Sequence, residues 1–120
     1  MDNKQYVGKA KDTVSDLMAQ FMETYASRQC SLRTRSGYQG QINRYLEPTI
    51  GYIRYQDLTS SAIEKIYADM SARGLSNQTI KHLHRLLREA LTWAFRKKLL
   101  KENPTDSVDI PQVEKPELEM

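Results

Sequence analysis

SNQTIKHLHRLLREALTWAFRKKLL, residues 76–100, is the stretch on which the fold turns. Ile80, Leu83, Leu87, Ala90, Leu91 and Ala94 recur at helical spacing, so one stripe of a long helix is apolar. Leu86, Trp93 and Phe95 widen that stripe, which predicts a helix buried on more than one side and central to its domain. Ser76 offers an N-cap oxygen, the pattern runs to about Leu99, and Asn103-Pro104 ends the segment. On the other side Lys81, Arg85, Arg88 and Thr92 stand at i, i+4, i+7 and i+11, with Gln78 one turn earlier. Asn77, Gln78 and Thr79 fill the first turn, where backbone N–H groups are free and the helix dipole favours anions. Such a helix suits a major groove, with cations on phosphates and amides on base edges. Read without a ligand, the same stripe is a solvated charged face.

Working toward the N-terminus, Thr59 or Ser60 caps a third helix that runs to about Arg73, with Ile63, Ile66, Tyr67 and Met70 facing the core. Gly74 is its stop, in the left-handed conformation that glycine tolerates best. Thr49 to Leu58 reads as an extended loop that buries Ile53 and Leu58, because its strand-like residues Tyr52 to Tyr55 find no partner strand. A second helix spans about Leu32 to Glu47, capped by Ser31 and stopped by Pro48, with Tyr38, Ile42, Tyr45 and Leu46 on its apolar stripe. Gly37 and Gly40 inside it each cost up to about 1 kcal/mol against alanine. Two explanations stand open for them: close packing of helices, or close approach of a phosphate backbone. The first helix runs from about Thr13 to Arg28, capped by Asp12 or Thr13, with Val14, Leu17, Met18, Phe21 and Tyr25 on one face.

The expected fold is therefore all-α, a compact bundle of four to five helices. Residues 1–12 read as a flexible N-terminus or linker, 13–104 as one helical domain, and 105–120 as an acidic linker containing Pro111 and Pro116. A chain of 120 residues is one domain by size. Its 39% hydrophobic and 28% charged content is that of an ordinary soluble protein. No apolar run nears the roughly 18 residues of a membrane span, and the polar start lacks a signal-peptide core, so a cytoplasmic location without membrane contact is expected.

The net charge of +3 says less than its distribution. Arg28, Arg33, Arg35 and Arg44 occur with no acid between them. From Arg73 to Lys101, Glu89 is the one acid among Arg73, Lys81, Arg85, Arg88, Arg96, Lys97, Lys98 and Lys101. The tail then reverses with Glu102, Asp106, Asp109, Glu114, Glu117 and Glu119. The middle of the chain is built to meet something negative, and two neighbouring basic helices make a surface.

Catalytic patterns are missing. The sequence has no phosphate-binding glycine loop, no H-E-x-x-H and no G-x-S-x-G. His82 and His84 lie two residues apart, so on a helix they point about 200° apart and cannot share a metal. The lone Cys30 forms no internal disulfide, and no cofactor is expected. Asp57, Glu64 and Asp69 are spread over outer faces and a loop. A tyrosine nucleophile would need clustered cations, whereas most of the seven tyrosines fall on apolar stripes.

The order Thr34-x-x-x-Tyr38-x-x-x-Ile42, Leu46, Pro48, Gly51, Leu58-Thr59, Gly74-Leu75-Ser76, Thr79, Leu83, Leu87, Ala90, Ala94, Leu99-Leu100 and Asn103-Pro104 resembles the N-terminal core-binding, SAM-like domain of phage and conjugative-element integrases, in the tyrosine recombinase family. The resemblance covers about Thr13 to Val113. It implies a DNA-binding domain that lies on one face of the core recombination site while a separate catalytic domain grips the other. It implies double-stranded DNA and other integrase protomers as partners, and an isolated domain that is monomeric. In that family the second and fourth helices face DNA. Carried over, this points to Arg33, Thr34, Arg35 and Asn43 in the second helix, with Tyr38 able to serve the core instead. In the fourth it points to Ser76, Asn77, Gln78, Thr79, Lys81, His82, Arg85 and Arg88. The family's catalytic arginines, lysine, histidines and tyrosine belong to the other domain, so the chain is expected to carry no catalysis. The pattern H-x-x-R from His82 to Arg85 is in the wrong domain to be transferred.

Two other classes fit the same helices. An autonomous helix-turn-helix regulator would need a tight turn before its recognition helix, and neither link before the third or fourth helix announces one. A protein-interaction bundle would leave the clustered positive charge unexplained.

Overall fold

The computed structural model describes residues 12–110; the expectations for residues 1–11 and 111–120 lie outside them. Four helices carry the described fold. Helix α1 runs through Val14–Phe21, a π-helical turn at Met22–Ala26 and Ser27–Gln29. Helix α2 is Leu32–Gln41 continued by a second π-helical turn, Ile42–Leu46. Helix α3 is Ser60–Ala72 and helix α4 is Asn77–Arg96. Short 3-10 turns at Tyr55–Asp57 and Pro104–Ser107 complete the path.

Each helix begins where its side chains can satisfy the free N–H groups. Thr13 caps α1 in a full capping box with Asp16. Ser31, Thr59 and Ser76 accept from the backbone N–H three residues on in α2, α3 and α4. The π turn in α1 coincides with back-bonding hydroxyls: Thr24 Oγ1 donates to the Gln20 carbonyl at 2.7 Å and Ser27 Oγ to that of Glu23 at 2.6 Å. Such bonds compete for the carbonyls of the regular ladder and bend helices.

Helix α4 is the axis of the core. Ile80, Leu83, Leu86, Leu87, Ala90, Leu91 and Ala94 are fully buried, and α1 and α3 pack against it. Phe21, also fully buried, meets the ring of Trp93 edge-on at 5.8 Å. Phe95 departs from the sequence expectation and is 45% exposed. It stands three residues past Thr92 and seven past Arg88, which puts it on the outer face rather than the inner stripe.

The segment between α2 and α3 bends more than an extended loop. The backbone N–H groups of Ile50 and Gly51 both reach back to the Leu46 carbonyl at 2.9 Å. Gly51 is buried so close to Glu47 that a Cβ there would lie 2.8 Å from the Glu47 carbonyl oxygen. The loop then ties to the start of α1, with Val14 N–H donating to the Ile53 carbonyl at 2.8 Å and Ser15 N–H to that of Gly51 at 3.0 Å. A single bridge joins Thr13 to Arg54. Ile50 and Leu58 are buried here, while Ile53 is half-buried.

The link between α3 and α4 is tighter than the sequence announces. Residues 73–76 suffice, because Leu75 N–H donates to the Met70 carbonyl and Gly74 takes φ +88. At the other end of α4 the chain turns back through Lys98 at φ 65, and Pro104–Ser107 packs against α3 and α4. Thr105 is buried there, and Asp109 N–H donates to Glu64 Oε2 at 2.8 Å.

Candidate nucleic-acid interface

The outer face of α4 is set by the inner one. Seven buried apolar positions fix the helix's rotation, so Gln78, Lys81, Arg85, Arg88 and Arg96 emerge exposed along the opposite side. Arg88 Nη1 lies 3.8 Å from Asp106, both largely exposed, a pairing that solvent weakens. Arg28, Arg85 and Arg96 make no ion pair among the described residues.

The predicted residues at the start of α4 divide by job. Ser76 Oγ accepts from the Thr79 backbone N–H at 3.1 Å and shares a hydrogen bond with Thr79 Oγ1 at 3.0 Å, so both serve the helix cap. Asn77 and Gln78 stand exposed in the first turn. The Gln78 amide and the His82 Nε2 atom share a 3.0 Å hydrogen bond on the surface.

In α2 the predicted residues do not share one face. Arg33 is exposed, on the same side as Gly37, Gly40 and Arg44 by helical spacing. Thr34 gives its backbone N–H to the Ser31 cap at 3.1 Å and is half-buried. Arg35 turns into a separate groove between α1 and α2, beside Met22, Glu23, Leu32 and Gln39. Its Nε is buried without a hydrogen-bond partner among the described residues. Asn43 is exposed and accepts from the Gln39 amide at 3.0 Å. A Cβ at Gly37 would meet nothing within 4 Å, and one at Gly40 only the tip of Arg44 at 3.9 Å. Close helix packing therefore does not explain these glycines.

Tyr38 belongs to the core. It is 6% exposed, and its hydroxyl donates to Glu89 Oε1 at 2.5 Å. Tyr25 of α1 lies near enough to the same carboxylate to feel its charge. Burial first, and the Glu89 carboxylate second, push both phenols above their ordinary range. That is opposite to the activation a nucleophile needs, even with Arg85 and Arg96 nearby.

His84 is likewise a structural group. Its Nδ1 and the Tyr67 hydroxyl share a 3.0 Å hydrogen bond, and burial followed by the charge of Arg88 lowers its pKa. No cluster of three metal-ligating side chains occurs among the described residues. Cys30 is half-buried at the end of α1, and burial raises its thiol pKa, so nothing marks it as reactive. Among the described residues no helix is long and apolar enough to cross a membrane.

Sequence reasoning left one feature unseen. The C-terminal half of α1 and the outer flank of α4 enclose an open groove of about 780 Å³. Thr24, Tyr25, Arg28 and Gln29 line one wall, and Arg85, Arg88, Glu89, Thr92, Trp93, Arg96 and Lys97 the other. The acid-free run that includes Arg28 was the signal, but only the packing of α1 against α4 brings Arg28 opposite Arg96.

Residues 13–71 match the model of the phage integrase N-terminal SAM-like domain. An integrase from Saccharopolyspora erythraea is 29% identical over 109 residues, which cover 89% of this chain and 25% of that protein. The chain thus spans about a quarter of the curated relative's length. Two solution NMR structures share the fold. The integrase-like domain from Bacillus cereus matches over 100% of this chain and 96% of its own, with TM-score 0.79 and 22% identity. The phage integrase SAM-like domain from Moorella thermoacetica matches over 95% and 93%, with TM-score 0.75 and 26% identity. Fold and sequence agree on one assignment: over residues 13–71 this chain matches the phage integrase N-terminal SAM-like domain family.

Proposed function

We propose that this domain binds double-stranded DNA as the core-binding part of a site-specific tyrosine recombinase, and that the strand-exchange chemistry resides in a separate catalytic domain. The observation that carries this reading is the outer face of α4, where Gln78, Lys81, Arg85, Arg88 and Arg96 stand exposed in one row and the one acid on that flank, Glu89, is half-buried. Arg33 and Arg44, on the exposed side of α2, add charge, and Gly37 and Gly40 leave that side bare. Cations of this kind neutralise phosphates, while Gln78 and Asn77 in the first turn of α4 can read base edges. The domain then covers one side of the core attachment site, its catalytic counterpart the other, and further protomers join in the synaptic complex.

The test is a titration of labelled duplex DNA at several salt concentrations. The expected dissociation constant for the isolated domain is on the order of 10⁻⁴ to 10⁻⁶ M, rising steeply with salt. Lys81→Ala and Arg85→Ala weaken binding while circular dichroism stays helical. Absence of binding at low salt would rule the reading out.

A further inference from the structure

We propose that the groove between α1 and α4 holds the sugar-phosphate backbone of one DNA strand, with Arg28 of α1 facing Arg85, Arg96 and Lys97 of α4 across it. This rests on the DNA-binding reading and extends the interface to α1, a helix outside the pair to which the sequence assigned it.

Three observations support it. First, the cations are available: Arg28, Arg85 and Arg96 make no ion pair among the described residues. Second, the one acid of the groove is already occupied. Glu89 lies in the α4 wall, half-buried, where the Tyr38 hydroxyl donates to it at 2.5 Å. Its carboxylate is thereby held by a phenol, and it makes no ion pair with the arginines at the rim among the described residues. Third, the length favours a chain of charges over a single anion. Arg85 to Arg96 extends about 16 Å along the helix axis at 1.5 Å per residue. A DNA strand carries a charge about every 3.4 Å of its axis, so a span of this length faces several phosphates rather than one anion. Trp93, half-buried in the wall, gives the sugars an apolar surface.

The experiment uses the 120-residue chain and fluorescein-labelled duplexes of two unrelated sequences, read by anisotropy between about 50 and 200 mM salt. Arg28→Ala and Arg96→Ala each reduce the slope of log K against log salt by about 0.9 and weaken both duplexes alike. Arg28→Met keeps the apolar stem and gives the same loss. Lys65→Ala, exposed on α3 and outside the groove, leaves slope and affinity unchanged. If the groove variants keep the wild-type slope while Lys81→Ala lowers it, the DNA reading stands and the groove assignment falls. If the wild-type chain binds neither duplex at low salt, both fall. A poly-glutamate peptide that binds the chain and is lost with Arg28→Ala, while duplex binding is unaffected, would assign the groove to an acidic protein partner and overturn the proposal.

Discussion

At the scale of single residues, two helix ends solve one problem with different chemistry. Gly74 ends α3 at φ +88 and Lys98 follows α4 at φ 65, each turning the chain through the left-handed region. Leu75 N–H reaches the Met70 carbonyl in the first case and Leu99 N–H the Ala94 carbonyl in the second, both at 3.0 Å. Glycine adopts this conformation freely, whereas an L side chain is penalised by about 1–2 kcal/mol. Gly74→Ala, whose Cβ would meet nothing within 4 Å, should therefore cost about 1 kcal/mol through backbone strain alone. Lys98→Gly should stabilise by a similar amount, about 1 kcal/mol, and urea titration of both variants reads the opposite signs. Gly37 poses the reverse case, a glycine inside a helix with open space where its Cβ would be. Gly37→Ala should raise stability by up to about 1 kcal/mol. If the bare face of α2 serves to approach a phosphate backbone, the same variant binds duplex DNA more weakly, and an anisotropy titration separates the two effects.

At the scale of elements, Glu89 ties helices together: it stands on α4, accepts the hydroxyl of Tyr38 of α2, and lies near enough to Tyr25 of α1 to raise that phenol's pKa. A hydrogen bond to a charged group contributes about 1.5–3 kcal/mol, so Tyr38→Phe should destabilise the domain by roughly that amount. Glu89→Ala should cost at least as much, because the buried Tyr38 hydroxyl is left without its acceptor. Thermal melts of the two variants and the double variant test this, and additive losses would show that the residues do not act as a unit. This junction was illegible in the sequence. Tyr38 sat at a spacing that suited core and DNA contact equally, and Glu89 looked like a lone acid in a basic helix. What was legible was local: the caps at Thr13, Ser31, Thr59 and Ser76, the stop at Gly74 and the apolar stripe of α4 depend on neighbours within one or two turns. The π turns, the inward course of Arg35 and the groove beside Arg28 depend on how whole helices pack. A period of 3.6 residues does not carry that information, and it also misplaced Phe95 by one flank of the helix.

At the scale of the molecule, the same surface that suits α4 for an anion burdens the fold at low pH. His84 lies between α3 and the basic row, half-buried beside the Tyr67 ring at 5.8 Å and under the field of Arg88. Burial, then the arginine's charge, disfavours its protonation in the folded state, so its folded pKa lies below the ordinary value of 6.5. The unfolded chain binds the proton more readily, and stability therefore rises with pH across that range. The contribution is fully present above about pH 6.5 and is lost as pH falls below it, toward the folded pKa. Urea midpoints measured from about pH 7.5 down to about 5.5, above most carboxylate titration, should fall for the wild-type chain. They should fall less for His84→Gln, which cannot take up the proton. An equal fall in both would assign the acid sensitivity to other groups. Duplex DNA should oppose the loss, because phosphates on Arg88 relieve the positive field that disfavours the imidazolium. Protonation of His84 and DNA binding are then linked, each favouring the other.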